Sequence, residues 1–461
     1  MNPWYKKVLL STAVICSLSM VSVSATAYMA GSSKAGQESL MSSDLIWKEH
    51  VRTNAKTITS VKLEKEDEYN DLKFLKSVLA DKQIVSLGEA SHGASEYNSM
   101  KVRLVQFLHE ELGFNVIAFE SNLSDTATAY SQVQQTTPEQ LMKNSIFGVW
   151  QVKENLPLFE YIAAQSKTDH PLILTGFDAQ GPKESFITFI KDWFAQVDPS
   201  KASGFAQTEQ WYLKMNTITD MDEFNKQKKK IKEKYLALQQ FVSENQDELH
   251  QAQPKQSDLV PLIERVLQNR LDMLDNYHPH IINMFAGIDP EKQLQMASYE
   301  RDRVMADNLT WLAKTVYPNE KMIVWGHNYH IRKHNSTMIT EHNGYDFDEN
   351  PYPTMGELLP YSLKQANYVI GLFAYQGSSS KNNGEEEQVQ SHDKGSLEDI
   401  LGTEMEAARF INMRDQKLSP ATEWMFTPRI AKAWGVLDEK MIPRDQYDGI
   451  LLIRDIHPST K

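Results

Sequence analysis

The feature that most constrains this chain is a recurring set of apolar runs: "QIVSLGE", "FNVIAFE", "PLILTGFD", "KMIVWGH", "NYVIGLFAY" and "DGILLIRD". Most are continuously apolar rather than alternating, as expected for strands covered on both faces. Helical stretches separate them, so the pattern predicts an α/β fold, a mainly parallel sheet flanked by helices. A length of 461 residues accommodates one large domain with an insertion. The rhythm breaks over about residues 185–310. There Leu259, Leu262, Ile263, Val266, Leu267, Leu271 and Leu274 fall on one helical stripe, which predicts a helical insertion packed over the sheet.

In open α/β sheets, ligands bind beyond the carboxyl ends of the strands. Here "IVSLGE" ends at Glu89 with His92 three residues on, "VIAFE" ends at Glu120, "LILTGFD" at Asp178, and "MIVWGH" at His327 with His330 close behind. A single acid at such a place is equally well read as a helix cap. Four strands delivering an acid or a histidine to one edge favour a site.

Two chemistries fit these residues. In one, neutral His92 takes a proton from water, Glu89 or Glu120 orients its ring, and His327 polarises the attacked carbonyl. In the other, His92, Glu89, Glu120 and His327 hold a divalent metal that activates the water. The sequence does not separate them. No G-x-S-x-G elbow, H-E-x-x-H, P-loop or dinucleotide glycine pattern occurs, and "HEELG" at His109 reads as helix surface. The helical stretch "YERDRVMADNLTWL" carries Arg301, Asp302 and Asn308. Its spacing alone suggests a surface helix with an internal ion pair, whereas an inward Arg301 would hold a substrate anion or an oxyanion.

The first 27 residues have the form of a secretory signal: Lys6 and Lys7, an apolar stretch Val8 to Val23, then Ala25-Thr26-Ala27. Cleavage is expected before Tyr28, giving a secreted or cell-envelope protein with no stable membrane insertion; a retained anchor is the alternative. Cleavage removes Cys16, the single cysteine, and with it any disulfide or thiol nucleophile. It also removes two lysines and no acids, taking the formal charge from −13 to −15. That balance argues against a nucleic-acid partner or an anionic membrane surface. Residues 28–44 are small and polar and read as a linker, with the folded domain over 45–461. The polar segment 333–354 is placed to act as a lid, and 376–395 reads as a flexible loop.

The stretch "GEASHGASEYNSMKVRLVQFLHEELGFNVIAFES" resembles the signature of the erythromycin esterase family: G-E-x-x-H-G, a helix with a basic residue, then G-F and a strand ending in Glu. The likeness continues through "GFD" at 176–178, "RDRVMADN" at 301–308, "WGHNYHI" at 325–331, "MGELL" at 355–359 and "YDGILLIRDIHP", about residues 45–458 in all. It implies an α/β hydrolase with an added helical part, His92 as the base, and roles for Glu89, Glu120, His327, His330 and Arg301. Lys101 stands where many relatives are basic. Asp178, at its strand end, is grouped with Arg301, His330 and Lys101 as substrate-facing. The best-known members open the macrolactone of erythromycin-type antibiotics, and others are labelled succinoglycan-biosynthesis proteins. The apparent export signal is a departure from that pattern.

The expectation is therefore a carboxylic ester hydrolase acting on a small-molecule ester or macrolide, with no cofactor required. A metal-dependent hydrolase, perhaps a peptidase, on the same residues and a non-catalytic exported ligand-binding protein are the alternatives.

Overall fold

The computed structural model describes residues 34–461 apart from 65–66, 216, 255–257, 340–351 and 403. The secretory segment and most of the expected lid lie outside these residues. A helix runs over Lys34–Asn54, so the second half of the stretch read as linker is helical. No described helix is long and apolar enough to cross a membrane.

The strands are β1 (Lys56–Ile58), β2 (Ile84–Leu87), β3 (Phe114–Asn122), β4 (Ile173–Asp178), β5 (Lys321–Trp325), β6 (Asn367–Ser380), β7 (Glu386–Gln388), β8 (Ala408–Asn412), β9 (Arg429–Ala433), β10 (Leu437–Met441) and β11 (Gly449–Ile456). The main sheet has the order β1-β8-β11-β6-β2-β5-β3-β4, with β7 folded back on β6. From β11 to β4 every pairing is parallel, and these six strands are the six apolar runs. They are almost entirely buried, as parallel strands between helical layers must be. The fold is α/β, a mixed and mostly parallel sheet flanked by helices.

Antiparallel β8 and β1 close one edge. The stretch read as a flexible loop at 376–395 is instead mostly hairpin. β6 continues to Ser380, and β7 returns along it in the register Ser378↔Gln388. Its polar residues satisfy one another across the hairpin, Ser378 Oγ donating to Glu386 Oε1 at 2.6 Å.

Helices from Glu184 to Trp311 fill the interruption between β4 and β5. Every residue of the Leu259–Leu274 stripe is buried. The last of these helices, Pro290–Trp311, returns to the sheet, and Asn308 Nδ2 donates to the Phe177 carbonyl of β4 at 3.0 Å. That contact carries Arg301 to the strand ends. His109 is buried and bonded to the Tyr161 hydroxyl at 2.6 Å, not on a helix surface.

The chain crosses from β2 to β3 through the helix Ser95–Leu112, which stops at Gly113 in the left-handed region (φ 69°). It later returns to insert β5 between β2 and β3, then places β6 on the other side of β2. The order reverses about β2, the place where such sheets open a crevice.

Candidate active site

Glu89 and His92 follow β2 in a tight loop. The two glycines of "GEASHG" are there because backbone and side chains approach too closely for a Cβ. One built on Gly88 would stand 2.0 Å from Asn328 Oδ1, and one on Gly93 would stand 1.8 Å from the Ser380 carbonyl. Asn328 in turn bonds both ways with the Leu372 backbone, at 2.8 and 3.2 Å, tying the end of β5 to β6.

Glu89 is fully buried, and both its oxygens are engaged. Oε1 accepts from His92 Nδ1 at 2.7 Å and from the Trp150 indole at 2.6 Å, and Oε2 accepts from Lys101 Nζ at 2.7 Å. Burial alone would push its carboxyl up, but the Lys101 ammonium and His92 outweigh it and hold the group below the usual carboxylate range. An ionised Glu89 only accepts, so the His92 proton sits on Nδ1 and the lone pair on Nε2. Lys101 is itself fully buried, 4.0 Å over the Trp325 ring, and burial lowers its ammonium to about 8. It is bonded to Glu89 and has no exposed surface, which does not match the substrate-facing place expected for it.

A second network stands at the ends of β3, β4 and β5. Arg301 donates to Asp178 Oδ2 from Nε at 3.0 Å and from Nη2 at 2.6 Å, and to Glu120 Oε1 at 3.0 Å. Burial raises the Asp178 carboxyl, and the neighbouring Arg301 more than reverses this, leaving it low. Glu120 Oε2 accepts the His327 backbone N–H at 2.8 Å. Glu120 therefore does not hold the His92 ring: β5 lies between β2 and β3, so the end of β3 meets the end of β5. His330 places Nδ1 on Asp302 Oδ1 at 2.8 Å and Nε2 3.3 Å from both Glu120 Oε1 and Arg301 Nη1. Asp302 Oδ1 also accepts the Met355 N–H at 2.7 Å, which is what the "MGELL" segment contributes.

His327 closes the site between these networks. Its Nδ1 accepts the Tyr329 N–H at 3.1 Å, so its proton sits on Nε2, which donates to the Ala90 carbonyl at 3.1 Å. Burial, reinforced by His92, His330 and Arg332, holds this ring neutral. With both nitrogens committed it has no free N–H to polarise a carbonyl, and that expected role does not fit. It instead packs against His92, ring centroids 5.0 Å apart, and stacks on Trp434 at 5.0 Å.

The metal alternative fares no better. Glu89 and Glu120 present their oxygens to Lys101, Trp150, Arg301 and a backbone amide, and the His327 Nδ1 lone pair accepts the Tyr329 N–H. Among the described residues no group of three His, Cys, Asp or Glu side chains is arranged to hold an ion.

Trp150, Trp434, Asn328 and the Ala90 carbonyl went unread in the sequence. The tryptophans lie far along the chain and no spacing pattern marks an indole donor.

The family model for erythromycin esterase matches residues 109–456, most of the chain. The chain belongs to the erythromycin esterase family. It is 40% identical over 393 residues to YbfO of Bacillus subtilis (strain 168), provisionally named a hydrolase, covering 84% of this chain and 87% of that protein. It is 22% identical over 333 residues to erythromycin esterase type II of Escherichia coli, 68% of this chain and 74% of that one. A crystal structure of a Bacillus cereus protein shares the fold at a TM-score of 0.70, with 22% identity over 91% of this chain and 98% of that one. Of the site residues, Glu120, Asp178, Arg301, His327 and His330 lie inside the erythromycin esterase match. Glu89, His92 and Lys101 precede it.

Proposed function

We propose that the protein hydrolyses a carboxylic ester or macrolactone with water activated by His92. One observation carries the reading. His92 has its Nδ1–H fixed 2.7 Å from the carboxylate of a fully buried Glu89, which is itself kept ionised by Lys101. That leaves Nε2 as a base at the reversal point of the sheet. Nε2 takes a proton from water while the water oxygen attacks the carbonyl carbon, and charge moves onto the carbonyl oxygen. Collapse of the adduct breaks the bond to the alkoxide, which recovers the proton from the imidazolium, giving acid and alcohol. Glu89 stabilises the imidazolium in between. Arg301, oriented by Asp178 and Glu120, and the neighbouring His330 are the groups assigned to the oxyanion.

Family membership and the name of the Escherichia coli relative support a macrolactone among the substrates, and the signal-like N-terminal segment supports an exported enzyme. The test incubates purified protein, metal-stripped and metal-replete, with erythromycin and simple esters, following gain of water by mass spectrometry. Turnover without metal is expected, and His92→Asn should lower kcat at least about 10³-fold while staying folded. A folded His92→Asn variant with unchanged kcat removes the base. Activity only with metal selects the metal alternative, and binding without turnover selects a binding protein.

A further inference from the structure

Three rings surround the His92 imidazole: Trp150 at 4.8 Å, His327 at 5.0 Å and Trp434 at 5.3 Å between centroids. Trp150 and His327 are buried, whereas Trp434 is only partly covered. Of these three rings it is the one that reaches solvent over the base. Its placement is built rather than incidental. Trp434 opens the three-residue turn between β9 and β10, with its backbone in the left-handed region (φ 56°), followed by Gly435 at φ 76°. Bulky side chains seldom adopt that conformation, and where they do the surroundings enforce it. Here two backbone bonds do so. Trp434 N–H donates to the Ala90 carbonyl at 2.9 Å, on the loop that carries His92, and the Gly435 carbonyl accepts from Gln390 N–H at 2.8 Å. The Ala90 carbonyl that receives Trp434 also receives His327 Nε2–H. The Trp434 backbone and the His327 ring thus share one acceptor oxygen, on the loop that carries His92.

We infer that Trp434 is a specificity-determining residue of this site. Its indole forms the apolar wall that meets the group attached to the ester carbonyl and limits that group's bulk. The inference rests on the hydrolase reading above, since it assigns the wall to the acyl side of a substrate attacked at His92. An apolar acyl chain matches the indole face, and chains too large for the space beside it are refused.

The test uses the full protein and Trp434→Ala, Trp434→Leu and Trp434→Phe. Diethyl pyrocarbonate acylates accessible imidazole nitrogens, and peptide mass spectrometry follows the modification of His92 itself. The alanine variant should be modified about tenfold faster than the native protein and the phenylalanine variant close to the native rate; equal rates in native and alanine proteins overturn the shielding wall. In parallel, kcat/KM is measured for p-nitrophenyl acetate, butyrate and octanoate. Trp434→Ala should raise the octanoate-to-acetate ratio about tenfold, while a proportional change across all three esters overturns the specificity role. Trp434→Leu repeats both measurements should the alanine variant not fold. Absence of turnover on any ester, native included, overturns the hydrolase reading and with it the specificity role. The acylation rates then still report whether Trp434 covers His92.

Discussion

Glu89 and Glu398 are both buried beside a histidine, and they behave oppositely. Glu89 and His92 stand 2.7 Å apart beside Lys101 and the Trp150 indole, and the carboxyl is held low. Glu398 and His392 stand 3.8 Å apart, and among the described residues no Lys or Arg is ion-paired with the carboxyl. Lys432 gives it a backbone N–H at 2.7 Å, but its ammonium goes to Asp438 at 2.5 Å. His392 donates Nε2–H to the Tyr375 carbonyl at 2.6 Å, leaving Nδ1 facing Glu398 Oε2, each without a hydrogen-bond partner among the described residues. Burial pushes this carboxyl up to about 7. Both glutamates are equally buried and both have a histidine neighbour. What holds one carboxyl low while the other rises is a cation and a donor aimed at the carboxylate.

The comparison breaks first at Glu89. Glu89→Gln removes the negative partner of the imidazolium and no longer fixes the Nδ1–H tautomer. The loss in kcat should approach about 10⁴-fold with ester binding little changed. A loss under tenfold would mean that ionisation of Glu89 is not what sets the pair apart. Lys101→Met should make Glu89 resemble Glu398. Its carboxyl rises, and removing one partner of a buried pair costs about 3–5 kcal/mol of stability, seen in the urea midpoint. The kcat should fall about 10²-fold near neutral pH and recover toward alkaline pH, as Glu89 reionises. A parallel fall at every pH would place the effect of Lys101 elsewhere. Trp150→Phe deletes a single hydrogen bond to the carboxylate, worth about 1.5–3 kcal/mol, and should lower kcat by roughly tenfold.

The six parallel strands were legible because a strand covered on both faces must be apolar throughout, and little else in a chain looks like that. The strands β1, β7 and β8 were not, being short, polar or at edges, where sequence and environment constrain each other weakly. The same division runs through the site. Glu89 and His92 are close in sequence, and strand ends could be seen at Glu120, Asp178 and His327. Partner choice could not be seen. It depends on β5 entering between β2 and β3, which gives Glu120 to Arg301 and the His327 amide rather than to His92. It also depends on Trp150 arriving from a short turn at Gly148–Trp150, whose sequence announces nothing about a carboxylate.

The smallest effect should come from the other pair, and it tests the comparison from the opposite side. A carboxyl raised from its ordinary 4.5 to about 7 in the folded chain binds its proton more tightly there than when unfolded. The stability this contributes is complete below the ordinary value and is lost as pH rises through about 7. Glu398→Gln is neutral at every pH, keeps an oxygen for the Lys432 N–H, and can turn its amide toward His392 Nδ1. It should match the native protein near pH 5 and exceed it near pH 8 by about 1–3 kcal/mol, read from urea midpoints at the two pH values. Turnover of a small ester should change less than about twofold, because Glu398 does not touch the His92 site. If instead the difference between native and variant is the same at both pH values, Glu398 is ionised in the fold throughout. It would then be held as Glu89 is, by something other than an adjacent ammonium, and the cation would lose its place as the deciding element in either pair.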